Sequence, residues 1–308
     1  MNQQYRITGA SGRLGTAIQA TVRASDTRVL LPRSREALDI SDDISIAAYL
    51  AIDKQSPLIN VAAYTNVRGA SANQDLCWRA NVLGPALLAK YCSESDTPLL
   101  HVSSDFVFSG RDQPEPFTED SVTRPCNYYG FTKLQGEYEI WRRMQDWPSW
   151  KFWIVRTAGL FGRPDVDPLS FPSRIAAQLR NGDRTVEVVS DVYTNICYAP
   201  ELARAILWML DNRDEWSQAT GPIVPPGIYH VVNSGAASWY QVAQRIALRV
   251  GGASKLRPIS IKEYATKHGI PQSLSPGYSV IESSKYLECG APKLRNWERA
   301  IDDWCEQL

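Results

Sequence analysis

The 308-residue chain has no net charge to speak of: 33 lysines and arginines face 33 aspartates and glutamates. That balance implies no polyelectrolyte partner, so no nucleic acid is expected. No apolar run reaches about 18 residues, so no membrane span is expected. Histidine is scarce; His101, His230 and His268 stand far apart, away from any cysteine pair, so no metal is expected. The six cysteines contain no CxxC pair, and scattered reduced thiols fit a cytoplasmic protein. The opening MNQQYRITGASG runs straight into a strand and turn, without the charged-then-apolar pattern of a signal peptide. Repeats and disordered linkers are also absent from the pattern. The length allows one large or two modest domains with an ample core.

What is present begins at the first turn. Tyr5–Thr8 reads as a strand and residues 16–24 as a helix, and between them lies Gly9-Ala10-Ser11-Gly12-Arg13-Leu14-Gly15. GxxGxxG in that setting lets the backbone approach a pyrophosphate and offers it free helix N–H groups; the competing reading is a Gly-rich surface turn. The second strand, residues 28–31, ends in Pro32-Arg33-Ser34-Arg35, where an acid would suit a free ribose 2′-hydroxyl. Arg33 suits a 2′-phosphate, so NADP(H) is expected, with NAD(H) still allowed. Leu38-Asp39-Ile40 reads as a short strand that puts Asp39 and Ile40 near an adenine. The strand at residues 57–61 opens into Ala62-Ala63-Tyr64, small enough at first for a flat cofactor to lie close. Residues 70–93 read as one helix with Asn81 at its middle. Asn81 is either a satisfied core amide or the holder of a water beside Lys133, and both readings stay open.

The centre of the chain is residues 101–137. Leu99, Leu100 and Val102 make a buried strand with Ser103, Ser104 and Asp105 at its carboxyl end. A helix follows with Tyr129 and Lys133 four residues apart, hence on one face. A free phenol titrates near about 10, and a neighbouring ammonium is expected to lower that. Tyr129 can then protonate an alkoxide while Ser104 fixes the carbonyl oxygen. None of these groups supplies a hydride, so a nicotinamide is required. The intervening polar loop, residues 109–125, is expected to border the site. Strand–helix alternation up to residue 156 predicts an α/β fold with a doubly wound parallel sheet. Thereafter the pattern loosens into a smaller α+β region. The expected division is residues 1–160 for the dinucleotide and 161–308 mainly for substrate, with segments around 196–232 returning to the first unit.

Taken in order, ITGASGRLG, LDISD, NVAAYTNV, RANVLGPALLA, HVSSDFVFSG, NYYGFTKLQGE, VRTAGLFG, YHVVNSGAASWYQVA and LRNWERAIDDW resemble the extended short-chain dehydrogenase/reductases, within them the dTDP-4-dehydrorhamnose reductase family. The resemblance implies a Rossmann fold, a Ser104–Tyr129–Lys133 triad and a Lys133 bond to the nicotinamide ribose. It puts Gly9, Gly12 and Gly15 on the pyrophosphate, with Ser11, Arg13 and Leu14 in the same turn, and Ala62, Ala63 and Tyr64 beside the nicotinamide. Asn81 falls on the superfamily's helical Asn. The implied reaction reduces the C4 ketone of a nucleotide-linked 6-deoxyhexose with NAD(P)H, and a homodimer is left open. Departures gather on the substrate side. Phe106 replaces a tyrosine, Gly159 an aromatic, Arg68 an acid, and Ser275-Pro276 an Arg-Pro pair. Residues 191–197 (DVYTNIC) are rewritten. Asp105, Phe106, Tyr193 and Asn195 stand as substrate contacts beside Ser104 and Tyr129. A different carbonyl substrate, an NADP-binding regulatory subunit, and an epimerase or dehydratase using Asp105 are the competing functions.

Overall fold

The computed structural model describes residues 3–25, 28–32, 38–53, 55–108, 110, 115–181, 185–213, 222–271 and 275–308. Its first half alternates: β1 (Gln3–Thr8), α1 (Arg13–Arg23), β2 (Arg28–Pro32), α2 (Asp43–Ile52), β3 (Leu58–Asn60), α3 (Gln74–Trp78), α4 (Gly84–Glu94), β4 (Leu99–Ser104), α5 (Tyr128–Asp146) and β5 (Phe152–Thr157). The second half is less regular: β6 (Leu160–Phe161), α6 (Phe171–Arg180), β7 (Val186–Val189), β8 (Tyr193–Thr194), β9 (Cys197–Tyr198), α7 (Ala199–Asp211), β10 (Gly227–His230), β11 (Ala237–Ser238), α8 (Trp239–Val250), β12 (Leu256–Ile259), α9 (Ile261–His268), α10 (Ser284–Glu288) and α11 (Trp297–Cys305).

Six strands form one parallel sheet in the order β10-β5-β4-β3-β1-β2. The chain reverses its direction of travel between β1 and β3, which opens a crevice at the strands' carboxyl ends. The sheet is buried on both faces, as parallel sheets are. On one face Tyr5, Ile7, Leu100, Trp153 and Val155 meet Leu14 and Ile18 of α1 and Leu202 and Ile206 of α7. On the other, Leu58, Leu99, Phe152 and Ile154 meet Ile46 of α2, Leu88 of α4 and Ile140 of α5. A separate core, with Phe161, Ile175, Val188, Ile246, Trp297 and Trp304, holds α6, α8 and α11 together. Three two-stranded pairs, β6–β9, β7–β12 and β8–β11, complete that part.

Two elements depart from expectation. Residues 38–40 form no strand. The Asp39 carboxylate accepts from Ser41 N and Oγ at 2.8 Å, and this local turn takes the place of a ladder. Residues 70–93 are not one helix: a π-helical turn, Arg79–Leu83, separates α3 from α4. Gly136 of α5 explains how closely that turn is approached, because a Cβ there would lie 2.1 Å from the Asn81 carbonyl oxygen.

Candidate active site

The crevice is a cavity of about 830 Å³. Gly9, Ser11, Gly12, Arg13, Leu14 and Gly15 line it, as do Asp39, Ile40, Ala62, Ala63 and Tyr64, and Ser104, Asp105, Phe106, Tyr129 and Lys133. Arg33 lies outside the described residues.

The glycine turn fits a pyrophosphate. Gly9 has φ +67°, and a Cβ on it would come 2.6 Å from Ala62 N, so only glycine lets the turn sit against the β3 end. Gly12 occupies the N-cap of α1 without a capping side chain, and the first turn carries no acid. The helix's first N–H groups are therefore left for an anion. Ser103 Oγ, also on the cavity wall, is buried and has no partner among the described residues. Arg13 is differently engaged. Its guanidinium forks onto Asp167 at 2.6 and 2.9 Å and reaches Leu160 O at 3.2 Å, so its charge is spent on the opposite loop.

The chemical groups meet at the end of β4. Asn127 caps α5 by accepting from Gly130 N at 2.8 Å, and this starts the helix where Tyr129 and Lys133 both turn inward. Tyr129 is buried, Ser104 faces it across the cavity wall, and Phe106 stands edge-on to its ring at 5.6 Å. Ser104 Oγ donates to Asp105 Oδ1 at 3.0 Å and accepts from Phe106 N at 3.2 Å. Asp105 is no free substrate contact: Thr194 Oγ1 and Ser279 Oγ donate to its Oδ2 at 3.1 and 2.5 Å. Burial lifts its carboxyl to about 6 against these three hydroxyl bonds.

The Tyr129–Lys133 expectation needs correction. Burial raises the Tyr129 phenol above its ordinary value; the Ser104 hydroxyl opposes this, and Asp105 and Cys77 add to it. The phenol is therefore held in its protonated form rather than made acidic. Lys133 is instead the perturbed base: burial lowers it to about 8, while Glu137 and Cys77 pull it back upward. Its Nζ donates to Val102 O at 2.9 Å and lies 3.4 Å from His101 Nε2.

Asn81 resolves in favour of the satisfied amide. Its Oδ1 accepts from Tyr64 N at 2.9 Å, and its Nδ2 donates to Tyr64 O and Thr132 Oγ1, each at 3.1 Å. It does not line the cavity; it pins the wall at Tyr64 from behind. Asn195 is spent as well, donating to Gly235 O at 3.2 Å and accepting from Ile281 N at 2.9 Å. Tyr193 is 40% exposed on β8 and, like Asn195, is not on the cavity wall. Nor is the described part of the 109–125 loop. Phe117 pairs instead with Val280 and Glu282, and Glu119 accepts from His230 N at 2.7 Å. The sequence reading missed Arg79, Thr65 and Asn66, and the 166–169 segment, all of which line the cavity. Arg79 opens the RANVLGPALLA stretch and Thr65 and Asn66 lie in NVAAYTNV, so these three carried a signal, whereas the 166–169 segment carried none.

Among the described residues no helix is long and apolar enough to cross a membrane, and no group of His, Cys, Asp and Glu could hold a metal. The chain is 32% identical over 305 residues to a dTDP-4-dehydrorhamnose reductase of Mycolicibacterium smegmatis, covering 98% of this chain and 85% of that one. It is 30% identical over 303 residues to a dTDP-4-keto-6-deoxy-D-glucose reductase of Streptomyces niveus, covering 98% and 96%. A solved dTDP-4-dehydrorhamnose reductase of Bacillus anthracis, in complex with NADP, superposes with a TM-score of 0.86 at 25% identity, covering 100% of both chains. The family described as RmlD substrate binding domain matches residues 4–308, and the chain belongs to that family.

Proposed function

We propose that the chain reduces the C4 ketone of a nucleotide-linked 6-deoxyhexose, with NADP(H) as hydride source and Tyr129 as proton donor. The observation that carries this is the convergence of Ser104, Tyr129 and Lys133 on the cavity that also holds the uncapped glycine turn. Bound nicotinamide supplies the hydride. Tyr129, protonated at neutral pH, gives its proton to the carbonyl oxygen as charge develops there. Ser104 hydrogen-bonds the same oxygen, and Lys133 holds the cofactor's ribose. Arg33 in the sequence and the NADP complex of the Bacillus anthracis relative support NADP(H) over NAD(H). A dehydratase needs Asp105 as an acid at the substrate, and the three hydroxyls on its carboxylate speak against that. The same proposal keeps residues 1–160 with the returning 196–232 as the cofactor-holding unit, the rest of 161–308 as the substrate side, and the cytoplasm as the site of action.

The test mixes purified protein, NADPH and a panel of dTDP-4-keto-6-deoxysugars and follows loss of the reduced cofactor. Turnover should fall about 10²- to 10⁴-fold in Tyr129→Phe with NADPH affinity kept. Failure to oxidise NADPH with every sugar in the panel overturns the assignment.

A further inference from the structure

A second buried network reaches the site from behind the sheet. Thr8 Oγ1 at the end of β1 donates to Asn60 Oδ1 at 2.6 Å, and Ala62 N donates to the same oxygen at 3.3 Å. The amide orientation follows from the second bond: turning Asn60 over would set its NH2 against a backbone N–H. Asn60 Nδ2 therefore faces His101 Nδ1, 2.8 Å away, and donates to it. His101 is completely enclosed, and burial together with Lys133 keeps it neutral. A neutral imidazole carries one proton. With Nδ1 accepting, that proton is on Nε2, which faces Lys133 Nζ at 3.4 Å. An N–H pointed at the lysine suits the lone pair of an amine and repels an ammonium.

We propose that His101, oriented by Asn60, is a positioning residue that biases Lys133 toward its neutral amine and so sets when this lysine takes up or releases a proton. Among the described residues the other groups around Lys133 lack this polarity. Val102 O accepts from Lys133 in either state, and Glu137 on α5 and Cys77 on α3 favour the ammonium. Tyr129, one turn earlier on α5, is a neutral phenol. The arrangement links the wall at Ala62, where the network begins, to the protonation of Lys133. The proposal rests on the functional reading only in taking Lys133 as part of the working site, and its test needs no substrate.

The test is nuclear magnetic resonance on the full chain. With only three histidines, His101 can be assigned by substitution, and its nitrogen shifts report the tautomer. The Nε2–H form is expected from neutral to mildly basic pH; the Nδ1–H form overturns the proposal. In a lysine-labelled sample, the Lys133 signal, assigned with Lys133→Arg, should titrate at about 8. His101→Phe keeps the ring and the burial but removes the N–H, and should move that midpoint up by about one pH unit. A midpoint that stays put or falls shows that burial alone sets the lysine, and overturns the proposal. Should His101→Phe not fold, the wild-type tautomer decides. Loss of reductase turnover in the sugar panel would sink the functional assignment while leaving these two readouts unchanged.

Discussion

Removing one charge beneath α5 tests how dry the site's foundation is. Glu137 of α5 and Arg156 of β5 make three bonds of 2.7–3.2 Å, with side chains only 4% and 3% exposed. Arg156 also lies over the Phe108 ring, 5.2 Å from its centre, and faces His230 Nε2 at 3.5 Å. Glu137→Gln preserves shape and leaves the guanidinium buried without its counter-charge. The cost of breaking such a pair is about 3–5 kcal/mol. For a protein of this size that lowers Tm by roughly 5–8 °C. Replacing both partners, Glu137→Leu with Arg156→Met, removes the stranded cation and should recover most of the loss, since a buried pair and an apolar filling are close in energy. Urea unfolding followed by tryptophan fluorescence reads both variants. A single variant within about 0.5 kcal/mol of wild type would refute the reasoning, because it would mean that water already reaches the pair.

Three further outcomes are expected. Asp105 is raised to about 6 in the folded state from an ordinary 3.8, so the native protein binds the extra proton. Its contribution to stability therefore improves as pH falls from about 6 to 4, and the stability gap between wild type and Asp105→Asn should shift in favour of wild type between pH 7 and 5 in urea titrations. His230, lowered to about 3 by burial and Arg156, works the other way: stability is lost as pH drops below 6.5, and His230→Gln should flatten that limb of the same titration. Gly9→Ala forces a Cβ to within 2.6 Å of Ala62 N at φ +67°. About 1–3 kcal/mol of strain should appear as a ten- to hundredfold loss of NADPH affinity in calorimetry, and unchanged affinity would remove the glycine turn from the cofactor site.

Much of the architecture was legible because it is local. Strand Leu99–Ser104, helix Trp239–Val250 and the turn at Gly9 are each announced by a few adjacent residues. The family assignment drawn from ordered motifs agrees with the match over residues 4–308. What the sequence hid is non-local. Asn195 looked like a polar group in a rewritten stretch; its partners, Gly235 and Ile281, are 40 and 86 residues away. Gly159 looked like a lost aromatic, yet a Cβ there would be 2.2 Å from Asn195 O, so this chain has filled the space with backbone. The charge on Asp105 likewise depends on Thr194 and Ser279, neither of which is near it in the chain. The electrostatic role given to Lys133 missed for a related reason: spacing put it on the right face, but burial, opposed by Glu137 and Cys77, shifts its protonation.

The sheet is finished late. Its outermost strand on the β5 side, β10, and the helix that covers α1, α7, come from residues 199–230, well after Lys133 has been made. A growing chain that has just released β5 from the ribosome therefore carries an open hydrogen-bonding edge along Trp153–Arg156 and an uncovered oily flank on Leu14 and Ile18. Cutting the gene just after β5 would leave a sticky fragment rather than a working nucleotide-binding piece, and the same dependence ties the birth of the cofactor cleft to the arrival of the chain's far half.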